Sequence, residues 1–182
     1  MYRYLLDANV IVVFQKAARL AELVTAASTI QMAMVDDVYD ELTIPKPGKP
    51  ITPEMREAAR VLSGSAVAIE VILASSPEDV TRTSLRARGN PGAGEAASVA
   101  FASPRGDHIV VTADRRAVAG AARLYAELPG ETGRIVGLHT FLRMLVERGA
   151  LEPAIAAEVA GAAHHASNLS PPIWWQAWVA AR

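Results

Sequence analysis

Short, continuous apolar runs recur along the chain between longer stretches in which apolar positions return every three or four residues. The runs fall at 2–6, 30–35, 67–73, His108–Thr112 and 134–138, are rich in aliphatic and β-branched residues, and suit strands buried on both faces of a parallel sheet. Between them, helical spacing predicts helices over 10–14 and 17–28, over 36–42, over 53–62, after Ser76-Pro77-Glu78, and over the Ala-rich GAGEAASVAFA. Further helices are predicted over 115–124, 139–148 and 151–164. Strands alternating with helices over short connections predict right-handed βαβ crossovers and therefore an open parallel sheet.

Punctuation supports this reading. Ile44-Pro-Lys-Pro-Gly-Lys-Pro-Ile-Thr-Pro53 holds too many prolines for regular structure and is expected to be a loop. Asn90-Pro91-Gly92 and Pro129-Gly130 mark turns, and Gly149 stops a helix. The resulting organisation is one α/β domain over 1–150, with a helical C-terminal extension over 151–182 packed on the same domain. That extension carries Trp174, Trp175 and Trp178. Trp174 and Trp178 are four apart, and their shared helical face is expected to pack on the domain, or to form a homodimer or partner surface.

Composition narrows the chemistry. Of 182 residues 51% are hydrophobic but only 5% aromatic, so the core must be built largely from small side chains. Cysteine is absent, which removes disulfides, thiolate metal sites and cysteine nucleophiles, and leaves oxygen or imidazole to hold any metal. The formal net charge of −1 gives no general attraction for polyanions, so a nucleic-acid partner needs a local patch. Arg82, Arg86 and Arg88, and Arg115, Arg116 and Arg123, are the arginine-rich candidates. No apolar run approaches the ~18 residues of a membrane span, and no basic leader precedes an apolar one, so a cytoplasmic protein without membrane contact is expected.

Acids then stand out by position. Asp7 follows the first run and Asp114 follows the fourth; Glu41 lies on the helix DDVYDEL, and Glu95 in the first turn of the Ala-rich helix. Each taken alone has a plain structural account, as a helix cap, a solvated acid, or a charge favoured by the helix dipole. In a doubly wound sheet, however, all four converge on the carboxyl edge of the strands, where such folds bind ligands. Four crowded carboxylates need a counter-charge, and hard oxygen donors favour Mg²⁺ or Mn²⁺. A cation so held suits phosphodiester cleavage.

In order and spacing, LLDANVIV, DDVYDEL, GAGEAASVAFA and VVTADRRAVAGAA resemble the acidic motifs of PIN domains, over roughly residues 1–151. The resemblance implies a three-layer α/β/α sandwich with a central, mainly parallel sheet and a metal-dependent endoribonuclease site. Asp7, Glu41, Glu95 and Asp114 would be catalytic, with Asp7, Glu95 and Asp114 holding Mg²⁺ or Mn²⁺. Asn9, Thr112, Arg115 and Arg116 are the expected substrate contacts, although Asn9 also reads as a helix cap and Thr112 as an ordinary strand residue. Small bacterial PIN proteins are commonly toxins whose antitoxin blocks the acidic pocket, often with an arginine, and the resemblance implies RNA and an antitoxin as partners. The Pro-rich segment at 44–53 and the Trp tail exceed a minimal toxin. The competing reading is a PIN-like module that binds protein or RNA without cutting it.

Other chemistries lack their residues. Phosphatases with an N-terminal Asp nucleophile need a second Asp where Asn9 stands, and receiver domains need a late Lys, whereas none occurs after Lys49. Neither a Gly-x-Ser-x-Gly elbow nor a Gly-Lys-Ser/Thr phosphate loop is present. His164 and His165 are adjacent and diverge on a helix, and His108 reads as structural.

Overall fold

The computed structural model describes residues 2–89, 92–114, 116, 118, 134–167 and 171–181. Five strands, β1 (Arg3–Leu6), β2 (Met32–Val35), β3 (Ala68–Glu70), β4 (His108–Thr112) and β5 (Arg134–Gly137), form one sheet in the order β3-β2-β1-β4-β5. Every neighbouring pair is parallel. All residues of β2 and β4 are buried, as the continuous apolar runs require of strands covered on both faces.

Nine helices are described: α1 (Ala8–Lys16), α2 (Leu20–Ala27), α3 (Asp36–Thr43), α4 (Pro53–Leu62), α5 (Pro77–Gly89), α6 (Ala93–Ala102), α7 (Leu138–Glu147), α8 (Pro153–Ser167) and α9 (Ile173–Ala180). They flank the sheet in a three-layer α/β/α arrangement. Helix α1 packs against α2, α4 and α8, while α6 packs against α5, α3 and the strands β2 and β4. Alanine makes the second contact close: Ala96, Ala97, Ala100 and Ala102 are all buried on α6. Tyr4 and Phe141, whose rings lie 5.5 Å apart, are with Phe14 the largest fully buried side chains.

Strand order positions the site. From β1 the chain moves outward to β2 and β3, then returns across the sheet to β4 on the other side of β1 and continues to β5. Right-handed crossovers put the connecting helices of the two directions on opposite faces, so the loops after β1 and β4 part from one another. That parting is the switch point, and Asp7 and Thr112 sit on its two sides.

Two expectations need correction. The run 67–73 forms only the three-residue edge strand β3, with Ile69, Val71 and Leu73 exposed, because an edge strand has one neighbour to hold it and the core ends there. In α9 the buried residue is Trp175, packed edge-on against His139 with ring centres 5.1 Å apart. Trp178 is partly buried beside it at 5.0 Å, whereas Trp174 is 37% exposed, so the inward face is set by Trp175 and Trp178. The helix expected over 115–124 and the turn at 129–133 lie outside the described residues, save Arg116 and Val118.

Candidate acidic site at the strand ends

Asp7 ends β1 and begins α1. Its N–H donates to the carbonyl of Val111 on β4 (2.9 Å), and its own carbonyl accepts from Val10 (3.0 Å). Although it occupies the N-cap position of α1, its side chain makes no capping hydrogen bond. Instead Oδ2 accepts from the Thr112 hydroxyl (3.0 Å) and from Asn9 Nδ2 (3.3 Å). The capping account of this aspartate therefore does not hold.

Thr112 connects the two strand ends. Register pairs Leu6 with Val111, which puts Asp7 and Thr112 side by side at the edge. While its hydroxyl donates to Asp7, its oxygen accepts the N–H of Asp114 (3.1 Å). Asp114 is exposed, and Oδ1 accepts the N–H of Arg116 (2.7 Å), so it does close the turn that follows β4. The Arg116 side chain is exposed, and Arg115 lies outside the described residues.

The two glutamates come from facing helices. Glu41 on α3 accepts the N–H of Gly94 (3.2 Å) and the ammonium of Lys46 (3.2 Å). Gly94 must be glycine for this approach: a Cβ there would stand 2.8 Å from Val38 Cγ2 and 3.5 Å from the Glu41 carboxyl carbon. At the next position Glu95 is half-buried, and its carboxylate accepts the N–H of Gly92 in the manner of a capping box.

Electrostatics tie the acids together. Burial pushes the Asp7 carboxyl up to about 6, the charge of Glu41 adds to the rise, and the hydrogen bonds from Thr112, Ala8 and Asn9 only partly offset it. Burial also raises Glu95, where the Gly92 hydrogen bond opposes and the charges of Asp7 and Asp114 reinforce. Glu41, Asp7, Glu95 and Asp114 thus form a series in which neighbours sense each other's charge. Among the described residues, no three His, Asp or Glu side chains stand close enough to make a ready-formed metal-ligand set. The donor chemistry nevertheless fits a hard divalent cation that keeps most of its water, since such an ion needs direct contact with only one or two carboxylates. Asp7 and Glu95, each raised by burial and by neighbouring negative charge, would gain most from it.

Other acids of the sequence are already engaged. Asp37 and Asp79 both pair with Arg82, which joins α3 to α5, and Glu78 pairs with Arg105 (2.9 Å). Arg82 is therefore a structural tie and not part of an open basic patch. His108 lies buried against Asp107 (2.7 Å) and takes no part in the acidic series.

Two partners of the site were not evident from motif reading. Lys46 and the Gly94 N–H both hold Glu41; a lysine five residues beyond the glutamate, at a Pro-Gly turn, was the available signal. Among the described residues no helix is long and apolar enough to cross a membrane. Comparison of the chain with protein-family models, with curated proteins and with solved structures finds no match.

Proposed function

We propose that the chain is a metal-dependent endoribonuclease of the PIN type that hydrolyses RNA phosphodiester bonds with Mg²⁺ or Mn²⁺, and that it acts as the toxin of a toxin–antitoxin pair. The observation that carries this reading is the raised Asp7 carboxyl at the switch point, next to a second raised carboxyl on Glu95. A pair of acids that only capped helices would have no reason to share a site at such cost.

In this reading Asp7 and Glu95 hold the cation, with Asp114 beside them. The cation would supply charge neutralisation at the phosphoryl oxygens and a more acidic bound water. Thr112 keeps Asp7 in place and, through the Asp114 N–H, fixes the turn that presents Asp114. Asp114, the most exposed of the four, would orient the attacking water and take its proton as the new oxygen–phosphorus bond forms and the bond to the leaving oxygen breaks. Glu41, held by Lys46 and Gly94, sets the local negative potential and keeps α3 and α6 in register.

The Lys46–Glu41 pair is also the observation that favours the second reading, a module that binds without cutting, because a cation already neutralises one of the four acids. Cleavage separates the two. Purified wild type should cut RNA with Mg²⁺ or Mn²⁺, stop in EDTA, and lose activity by about 10²-fold or more as Asp114→Asn, the range for loss of acid–base assistance. Equal, metal-independent cutting by both proteins would reject the nuclease reading.

A further inference from the structure

A groove of about 390 Å³ opens between α1, α3, the 44–52 loop and the start of α4. Its lining includes Lys16, Lys46 and Lys49, which are all the lysines of the chain. Among the described residues several arginines are instead committed to acids, although Arg116 beside Asp114 is exposed. Arg3 pairs with Glu70, Arg19 with Glu22 and Glu158, Arg60 with Glu57, Arg82 with Asp37 and Asp79, and Arg105 with Glu78.

The loop holds two of the lysines as a pair. Lys46 and Lys49 form an antiparallel bridge in which each N–H donates to the other's carbonyl (3.2 and 2.9 Å). Pro47 and Gly48 make the turn, and Gly48 has the positive φ of +72° that this Pro-Gly order demands. Side chains of directly opposed residues emerge on the same face, so the bridge sends two lysines out on one side, and like charges so opposed are unfavourable on their own. Two carboxylates face the three lysines: Glu41 bonds Lys46, and Glu54 feels the charge of Lys16. Among the described residues Lys49 makes no ion pair. One positive charge is left over, and a second is freed whenever Lys46 leaves Glu41.

The groove also meets the acidic series, because Glu41 belongs to both and Asn9 in its lining donates to Asp7. We infer that this groove seats the phosphodiester backbone of a single strand adjoining the bond to be cut, with Lys16, Lys46 and Lys49 on its phosphates. The inference rests on the nuclease reading of the acids, and it adds where the strand runs. Lysine meets phosphate as a mobile point charge and reads no base, so this contact positions the strand without choosing its sequence.

The test is fluorescence anisotropy of a short labelled oligouridylate in EDTA, where nothing is cut, over a series of salt concentrations. Lys16→Gln/Lys46→Gln/Lys49→Gln should bind about 10-fold or more weaker near physiological salt, with a slope of log affinity on log salt shallower by ~2, at ~0.7 per lysine on single strands. Lys49→Glu alone should weaken binding in the same direction, and Arg19→Gln, which removes a cation elsewhere, should leave the slope unchanged. A labelled oligothymidylate separates the sources: equal loss on both strands assigns the groove to the shared backbone, and loss on the ribo-oligomer alone assigns it to RNA. Wild-type binding with the variant's slope, or no wild-type binding to either strand, overturns the groove. Cleavage in Mn²⁺ is scored in parallel: wild type that cuts but shows no lysine dependence keeps the nuclease and loses the groove. Lysine-dependent binding without cutting does the reverse.

Discussion

Burial lifts Asp7 from the ordinary 3.8 to about 6, against the pull of Thr112 and Asn9. Near neutral pH the folded protein must hold a carboxylate that the unfolded chain ionises freely, a cost of at most about 3 kcal/mol from the size of that rise. Asp7→Asn removes it. The expected outcome in urea denaturation is a variant about 1–3 kcal/mol more stable than wild type at pH 7, with the gain gone near pH 4, and with cleavage lost. A variant less stable at pH 7 would make Asp7 a structural residue after all. Asn9, its neighbour, bonds the carboxylate and lines the lysine groove.

Among the elements, the contact of α3 with α6 brings Glu41 to the N–H of Gly94. Gly94 permits it, since an added Cβ would press on Val38 Cγ2 at 2.8 Å, a side chain with no exposed surface and nowhere to retreat. Gly94→Ala should cost about 1–3 kcal/mol by overpacking, read from the urea midpoint, and should weaken cleavage through the displaced helix. An unchanged midpoint would mean that α3 and α6 are looser than this packing requires. The extension α9 makes the opposite kind of statement. Trp175→Ala should cost about 3–5 kcal/mol as a buried aromatic, and Trp174→Ala, at 37% exposure, clearly less. Equal costs would place Trp174 in the core as well.

Strand positions were legible because continuous apolar runs in a parallel sheet leave little choice, and β1, β2, β4 and β5 lie inside the runs that announced them. Run 67–73 overpredicted because hydrophobicity does not say whether a strand has one neighbour or two. The orientation of α9 was missed for a related reason: a spacing of four between Trp174 and Trp178 defines a face but not which face turns inward, and the His139 ring that receives Trp175 lies far off in sequence. Positions of the four acids at strand ends and helix starts were readable. Their hydrogen-bond partners were not, since Thr112 is 105 residues from Asp7 and Gly94 is 53 from Glu41.

For the whole molecule, pH and metal act in opposite directions. Asp7 and Glu95 have raised pKa values, so stability without metal grows as pH falls from neutral through about 6 toward 4. Glu54, Glu57, Glu78, Asp79 and Asp107 are lowered, so the stability they add is present above their unfolded pKa and is lost on further acidification. Metal-free protein should therefore melt highest between about 4 and 6. Mn²⁺ needs the ionised acids and should raise Tm by about 5–10 °C at pH 7 when present at ~100 Kd, with the gain fading below about 6. A thermal shift independent of pH would place the metal elsewhere.

The sheet order also governs when the acidic centre can assemble. β1, the middle strand, leaves the ribosome first, yet Thr112 and the turn holding Asp114 follow only 105 residues later. At translation rates of ~5–20 residues per second, a nascent chain spends roughly 5–20 s without the other half of its acidic centre. A chain interrupted before β4 carries Asp7, Glu41 and even Glu95 but lacks Thr112 and Asp114, so its acidic centre stays incomplete until β4 has been made.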